Sequence, residues 1–560
     1  MDDLEKSEIH SSVKNFPSNN STNSSSGYEK EYPQSSGSRW QDFKDSFKRV
    51  ELETLDPNLT RAERAAIATA RAPLKRNLKN RHLQMIAIGG SIGTGLFVGS
   101  GASLRAGGPA GLLIGYGISS SFILAVICAV GELAVEFPVS GGFTTYATRF
   151  VDESFRDGFV ALFYVVIISI NFFGVKGFGE AEFVFSIIKV ITIIGLIICS
   201  ICLVCGARGS YIGGKYWHHP YGAFVGDSAG TRFKSTMSVF ASSAFAFSGA
   251  ELVGLAAAET ENPRKALPKA AKQVFWRITL FYIVSLTLVG LLVSHKDPRL
   301  VGSSSADAAA SPFVIALVDH GIKGLPSVIN VVICIAVLSV GNSCVYVSSR
   351  TLCALTDQGF LPKKFKFDYI DRNGRPLIGI IFTSVFGLLC FIGASDKQGD
   401  VFDWLYALAG LAALFSWASI CLCHIRFRLA LAFQGRSTEE LSWKSPLGVG
   451  GSWYGLLIII CVFIAEFWVA VWPEGYKEMS GKAIATSFFE TYLSMVIVII
   501  MYVGRKIWCR NFKFLIPLSE IDLDTGRRNS DIELVKAEIA EDKAYIASKP
   551  WWYRVYAFWC

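Results

Sequence analysis

Apolar runs of about 17 to 25 residues, the length at which a helix crosses a bilayer, recur along most of this chain. They fall near 84–104, 109–137, 159–175, 183–206, 236–259, 273–293, 327–352, 377–394, 402–424, 453–472 and 483–504, and so predict eleven spans. The run from Ser311 to Asp319 is too short to cross and predicts a helix lying at the interface. Residues 1 to about 70 have no apolar period, and their Ser- and Asn-rich stretch at 18–26 predicts a disordered tail. With no apolar core behind its first residues, that tail is expected to remain in the cytosol. The pattern divides the chain into a polar tail with a basic collar over 1–80, a membrane domain over 81–508 and a second cytosolic tail over 509–560.

Two of the spans are interrupted by glycine. Gln84 to Gly101 has membrane hydrophobicity yet carries glycines at 89, 90, 93, 95, 99 and 101, each costing roughly 1 kcal/mol of helix propensity. Gly93, Thr94 and Gly95 weaken its middle, which predicts a helix that breaks. Phe240 to Glu259 is a second such stretch, with Asn262 and Pro263 behind it. An unwound backbone at membrane depth is tolerable only around a cavity. There the amides that begin the second half-helix face an anion and carbonyls on the other side accept from a cation, which suits a zwitterion. The plain alternative is that small residues let neighbouring helices approach. Paired breaks in two halves of a chain favour the transport site.

Composition agrees with a membrane protein and excludes several other classes. At 51% apolar, 18% charged and a mean hydropathy of +0.39, the chain is too apolar for a soluble protein of its length. Its net charge of +8 comes from basic residues flanking the spans, which implies the membrane surface as partner and no nucleic acid. Of the thirteen cysteines, Cys128, Cys199, Cys202, Cys334, Cys344, Cys390, Cys421 and Cys461 fall in apolar runs and read as small buried hydrophobes, not a disulfide framework. Cys421, Cys423 and His424 lack a second pair at zinc spacing, so no metal is expected, and no cofactor. No nucleophile stands beside a base, and Gly90 to Gly95 follows no strand as a dinucleotide loop must, so the chain is not expected to be an enzyme.

Charge also sets orientation, and here it disagrees with the span count. The collar of Arg71, Lys75, Arg76, Lys79 and Arg81 directs the first span from inside to outside. The basic loops at 260–277, 350–376 and 424–444 also belong inside. Counting back from those loops puts the 175–182 connection inside and Gly158 outside, whereas counting forward from the collar puts Arg149 to Gly158 inside. Either a helix is absent or part of the chain is inverted.

Several longer stretches carry a resemblance: 89–101 (GGSIGTGLFVGSG), 131–155 (GELAVEFPVSGGFTTYATRFVDESF), 172–190, 247–270 (FSGAELVGLAAAETENPRKALPKA), 348–363 and the terminal WWYRVYAFWC. From about Leu74 to Cys560 the chain resembles fungal amino acid permeases of the amino acid, polyamine and organocation (APC) superfamily, most nearly general amino acid permeases. The resemblance implies an all-α polytopic fold of the APC/LeuT type, with twelve spans and two inverted repeats about a site between broken helices 1 and 6. Eleven spans are visible here because the family's third helix is missing between Phe155 and Arg156. That is the crossing the charge count lacks.

By the same resemblance, the substrate carboxylate takes the amides of Thr94 and Gly95, and the α-ammonium takes carbonyls of Ser91, Phe245 and Ser248, with Gly93 and Ala246 alongside. Phe245 and Phe247 read either as an aromatic cover for the ammonium or as packing. Lys189 lies six residues into its predicted span and either snorkels or exchanges protons, as a lysine at this point does in the family's proton-coupled members. Glu251, fifteen residues into its span, costs roughly 2.5–3.5 kcal/mol there on insertion scales and is a second coupling candidate. Glu132 is a third. Lys6 and Lys14 are candidate ubiquitin acceptors, as in the family, and Cys560 behind Trp551, Trp552 and Trp559 is a candidate palmitoylation site. The expected function is proton-coupled, broadly specific uptake of L-amino acids at the plasma membrane by alternating access, with ubiquitin-directed removal along the endosomal and vacuolar route. An amino-acid-sensing receptor and a transport-dead product lacking helix 3 are the alternatives.

Overall fold

The computed structural model describes residues 94–136, 175–300, 311–387, 398–524 and 544–554, less 98, 257–258, 261–262, 323, 373, 442, 474–475, 477–478 and 511–514. Lys48, Leu78, His82, Met85, Ile86 and positions 537, 540 and 541 are described singly. The chain divides into units 1–48 and 49–560, and all the described helices belong to the second.

The described elements are helices, and an isolated parallel bridge pairs Leu78 with Thr260. In chain order the helices are α1 (Thr94–Phe97), α2 (Gly99–Glu136), α3 (Val175–Val204), α4 (Ala229–Met237), α5 (Val239–Phe247), α6 (Leu252–Ala256) and α7 (Pro263–Leu292). There follow α8 (Pro312–Asp319), α9 (Leu325–Asp357), α10 (Leu377–Gly387), α11 (Gln398–Phe433), α12 (Gly448–Val471) and α13 (Gly481–Cys509). Among the described residues five helices are long and apolar enough to cross a membrane, and six if the bent α13 is one span. The other five predicted spans miss that length for particular reasons: 84–104 is described only in part, 236–259 is broken into α4, α5 and α6, 273–293 qualifies only as the shorter apolar stretch Thr279–Leu292 of α7, 377–394 is described only to Gly387, and 159–175 lies outside the described residues but for Val175.

α2 joins the end of one predicted span to the next. It turns at Gly108, whose φ of 69° and ψ of 174° leave the helix just before Pro109, so the predicted spans 84–104 and 109–137 meet there. Ala110 N, beyond the turn, donates to Ala223 O at 2.9 Å.

Three expectations are corrected. The 175–182 connection is not a loop, because α3 starts at Val175. Charge ends a hydropathy run, but a helix continues where its carboxylates find partners, as Glu180 does at His82 Nε2 (3.2 Å) and Glu182 does at Ser339. The 311–319 helix is not an exposed surface helix: Pro312 to Leu317 are buried inside the protein, as suits a helix apolar all round. It is held by Ser311 Oγ donating to Phe97 O at 2.6 Å and by the rings of Phe97 and Phe313, 6.0 Å apart. Finally, α11 runs on to Phe433, so Arg426 and Arg428 are helical rather than members of a 424–444 loop.

One core joins most of these helices. Trp417, Tyr116, Tyr282, Tyr346, Phe97, Phe122, Phe247 and Lys189 are its largest fully buried side chains. The lysine among them has to be explained by what it touches.

Candidate functional site

The second Gly-interrupted stretch is a broken helix. α5 ends at Phe247, Ser248 leaves the helix (φ −57°, ψ 136°), Gly249 takes φ 103°, and the helix resumes at Leu252. A positive φ of that size suits glycine, which has no Cβ to clash. Glu251 is therefore not a mid-helix carboxylate, as its place in the predicted span implied. It sits in the break, where its Oε2 accepts from Gly249 N and from Trp417 Nε1 of α11, both at 3.1 Å. The break frees backbone N–H groups, and this carboxylate satisfies one of them.

The first Gly-interrupted stretch meets that break. Ser91 and Gly93 lie outside the described residues, and α1 begins at Thr94. Gly95 packs against Ala246 so closely that a Cβ at 95 would lie 2.2 Å from Ala246 Cα and 2.5 Å from its Cβ. Two buried tyrosines brace the contact: Tyr282 OH of α7 donates to Ala246 O at 2.8 Å, and Tyr116 OH of α2 donates to Gly95 O at 3.5 Å. Their rings stack at 5.8 Å, and Phe247 stacks on Tyr282 at 4.6 Å. Phe247 is thus part of this packing, whereas Phe245 and Ser248 are only half-buried beside it. Phe245 O accepts from Ser248 N at 3.1 Å.

Lys189 is not at the end of a helix. With α3 beginning at Val175 it lies fourteen residues in, about 21 Å along at 1.5 Å per residue, and it is fully buried, so it does not snorkel. Its Nζ donates to Ser339 Oγ of α9 at 2.6 Å and lies 3.9 Å from Glu182 Oε1. Glu182 escaped the sequence reading because it fell in the supposed loop, although seven residues, two helical turns, place it on the lysine's own face.

Two further ion-pair clusters tie helix ends. Glu132 of α2, fully buried, is 2.8 Å from Arg428 Nε and 3.0 Å from His424 Nε2 of α11, and accepts from Ser445 N ahead of α12. His424 also bonds Ser452 Oγ at 2.8 Å. Glu259 accepts from Arg350 Nε at 2.7 Å and Tyr346 OH at 2.6 Å, both on α9, while its backbone O accepts from Leu78 N at 3.1 Å. The charge pattern placed Arg350 at the start of a solvated loop; it is buried, with its guanidinium 3.7 Å from the Tyr346 ring centre. Lys6, Lys14 and Cys560 lie outside the described residues.

An all-α bundle of membrane-length helices, with a broken helix in backbone contact with a second glycine-rich stretch and charges buried among them, is a polytopic membrane transporter. The sequence profile of the Amino acid permease family matches residues 82–160 and 155–516, and the chain belongs to that family, whose members are transporters and not enzymes. It is 59% identical to General amino-acid permease GAP1 of Saccharomyces cerevisiae over 94% of this chain and 92% of the relative. It is 54% identical to General amino-acid permease GAP2 of Candida albicans, over 92% and 93% respectively. Among solved structures, Mhp1, a nucleobase-cation-symport-1 family transporter in a closed conformation, matches at 14% identity and a TM-score of 0.39, over 78% of this chain and 99% of its own. The two family segments meet with an overlap at 155–160. The pairing with GAP1 runs over 563 positions, more than the 560 residues present here, so it includes positions where only the relative has a residue.

Proposed function

We propose that the chain carries L-amino acids across the plasma membrane by proton-coupled alternating access, with broad side-chain tolerance and retrieval through endosomes and the vacuole. The observation that carries this reading is the backbone contact of Gly95 with Ala246, which brings two interrupted helices together at one point. The substrate carboxylate takes the amides of Thr94 and Gly95, and the α-ammonium takes carbonyls of Ser91, Phe245 and Ser248, with Gly93 and Ala246 forming the backbone between. Because such contacts use only what all amino acids share, they support broad specificity, as does the word "general" in the names of GAP1 and GAP2. Lys189 exchanges the coupled proton, and Glu251 and Glu132 are further coupling positions. Lys6 and Lys14 accept ubiquitin and Cys560 a palmitoyl chain beside exposed Trp551 and Trp552. Surface turnover of a Lys6→Arg, Lys14→Arg chain and acyl labelling of Cys560→Ser test those assignments.

A second reading rests on the junction at 155–160. If the third family helix is absent between Phe155 and Arg156, the helix after it keeps its direction only if Val151 to Phe159 cross about 30 Å of hydrocarbon with Asp152, Glu153, Arg156 and Asp157 aboard. Nine residues reach at most about 3.6 Å each, so that is close to the limit of an extended chain. Inversion instead puts the basic loops 260–277 and 350–376 outside. On that second reading the chain holds the substrate backbone yet transports poorly, and a version with a family helix inserted at this junction accumulates labelled amino acid in proteoliposomes under a pH gradient. Equal accumulation by both chains would overturn the topological part. Binding without flux in the restored chain would favour the receptor.

A further inference from the structure

Lys189 and Glu182 are not merely neighbours in α3, since a hydroxyl from another helix bridges them. Both side chains are fully buried. Lys189 Nζ donates to Ser339 Oγ at 2.6 Å, and Ser339 Oγ in turn donates to Glu182 Oε1. The chain of atoms is ammonium, hydroxyl, carboxylate, and a hydroxyl can both accept from the first and donate to the last. We infer that Lys189, Ser339 and Glu182 form a proton relay, in which Glu182 is the group that holds the exchanged proton and Ser339 passes it to and from Lys189.

Atoms and charge balance in the step. The Lys189 N–H bond breaks as a new O–H forms on Ser339, and the old Ser339 O–H breaks as one forms on Glu182 Oε1. An ammonium and a carboxylate become an amine and a carboxylic acid, and the net charge stays at zero. One proton from solvent then restores the ammonium, so the loaded pair is ammonium with carboxylic acid and carries a single positive charge. The unloaded pair is neutral in either form, which matters because an uncompensated charge inside apolar packing is strongly disfavoured.

The surroundings fit a group that changes protonation. Ser339, Asn342 and Ser343 lie on one face of α9, at i, i+3 and i+4, and Ser339 ties that polar face to the Glu182 carboxylate. The titratable groups acting on it are Lys189 from its own helix and Cys344 from α9, whose thiol also feels Glu251 in the helix break. Ser186, one turn before Lys189, donates to Met85 O at 2.8 Å, so the same face of α3 touches the stretch leading into the first interrupted helix. The helix that carries the relay thus touches the first glycine-rich stretch, and Cys344 beside it feels the Glu251 carboxylate in the second. The inference rests on proton coupling as proposed above and adds its second carrier.

The test is infrared spectroscopy of the purified full chain in lipid nanodiscs, titrated in pH and read at the carbonyl stretch of protonated carboxyl groups. Glu182→Gln, close to isosteric, should lose one such band and Glu182→Asp should regain it. Lys189→Met should move its midpoint by about one pH unit or more, since the nearest charge is gone. Ser339→Ala should keep the band but slow its response to a pH jump about tenfold or more. A Glu182→Gln chain that keeps every band of the parent, or a Lys189→Met chain with an unmoved midpoint, overturns the relay. Coupling is read separately from uptake with and without a pH gradient, so a titrating Glu182 beside gradient-independent uptake counts against coupling and not against the relay.

Discussion

Glu251 shows how far one side chain's meaning depends on the backbone beneath it. As a carboxylate inside a continuous apolar helix it is costly and demands a special role. As a residue of the helix break it accepts Gly249 N and Trp417 Nε1, which fixes the break to α11. The amide oxygen of Gln accepts the same bonds, so Glu251→Gln is expected to bind amino acid within a few-fold of the parent. Glu251→Ala leaves two buried donors unmet, at about 1–3 kcal/mol each, and should weaken binding tenfold or more. Equilibrium binding to the purified variants checks both, and a Gln variant as weak as the Ala variant would show that the charge itself is needed. At this scale the glycines, Lys189 and Glu132 were legible because a polar or small residue in an apolar run stands out. Glu182 and Arg350 were not, because each lies where hydropathy falls and only tertiary contacts show it to be buried.

Among the elements, the short connections held most of what the sequence hid. α3 starts earlier and α11 ends later than their apolar runs, in both cases because charged side chains at the helix ends find partners in neighbouring helices. The clamp of Glu259, Arg350 and Tyr346, with Leu78 N on the Glu259 carbonyl, joins the stretch before α1 to the end of the second broken helix and to α9. Both charges are buried and each is the other's partner. Removing one strands the other, so Arg350→Ala should destabilise the purified protein by about 3–5 kcal/mol, measured by unfolding in detergent. A loss under about 1 kcal/mol, the range of an exposed pair, would mean that solvent reaches Glu259.

For the whole molecule, the all-α membrane class was plain from spacing and composition, and the permease family from the longer stretches that carry the resemblance. That two Gly-interrupted stretches touch was only implied, since periodicity gives each break but not their distance. Gly95 against Ala246 supplies it. Span number and topology depend on the junction at Phe155 and Arg156, whose neighbourhood lies outside the described residues. Substrate recognition does not depend on that junction, because its proposed ligands belong to the two breaks. The central claim is therefore tested most directly by equilibrium binding of a labelled amino acid to the purified chain, comparing the parent with Gly95→Ala and Gly117→Ala. A methyl at 95 meets Ala246 backbone at 2.2 Å and cannot be relieved by a side-chain movement, whereas one at 117 meets only Ile283 Cδ1 at 4.0 Å. The account predicts saturable binding by the parent and by Gly117→Ala, displaced by amino acids of differing side chain, and none by a folded Gly95→Ala. Binding by Gly95→Ala at the parent's affinity would contradict it.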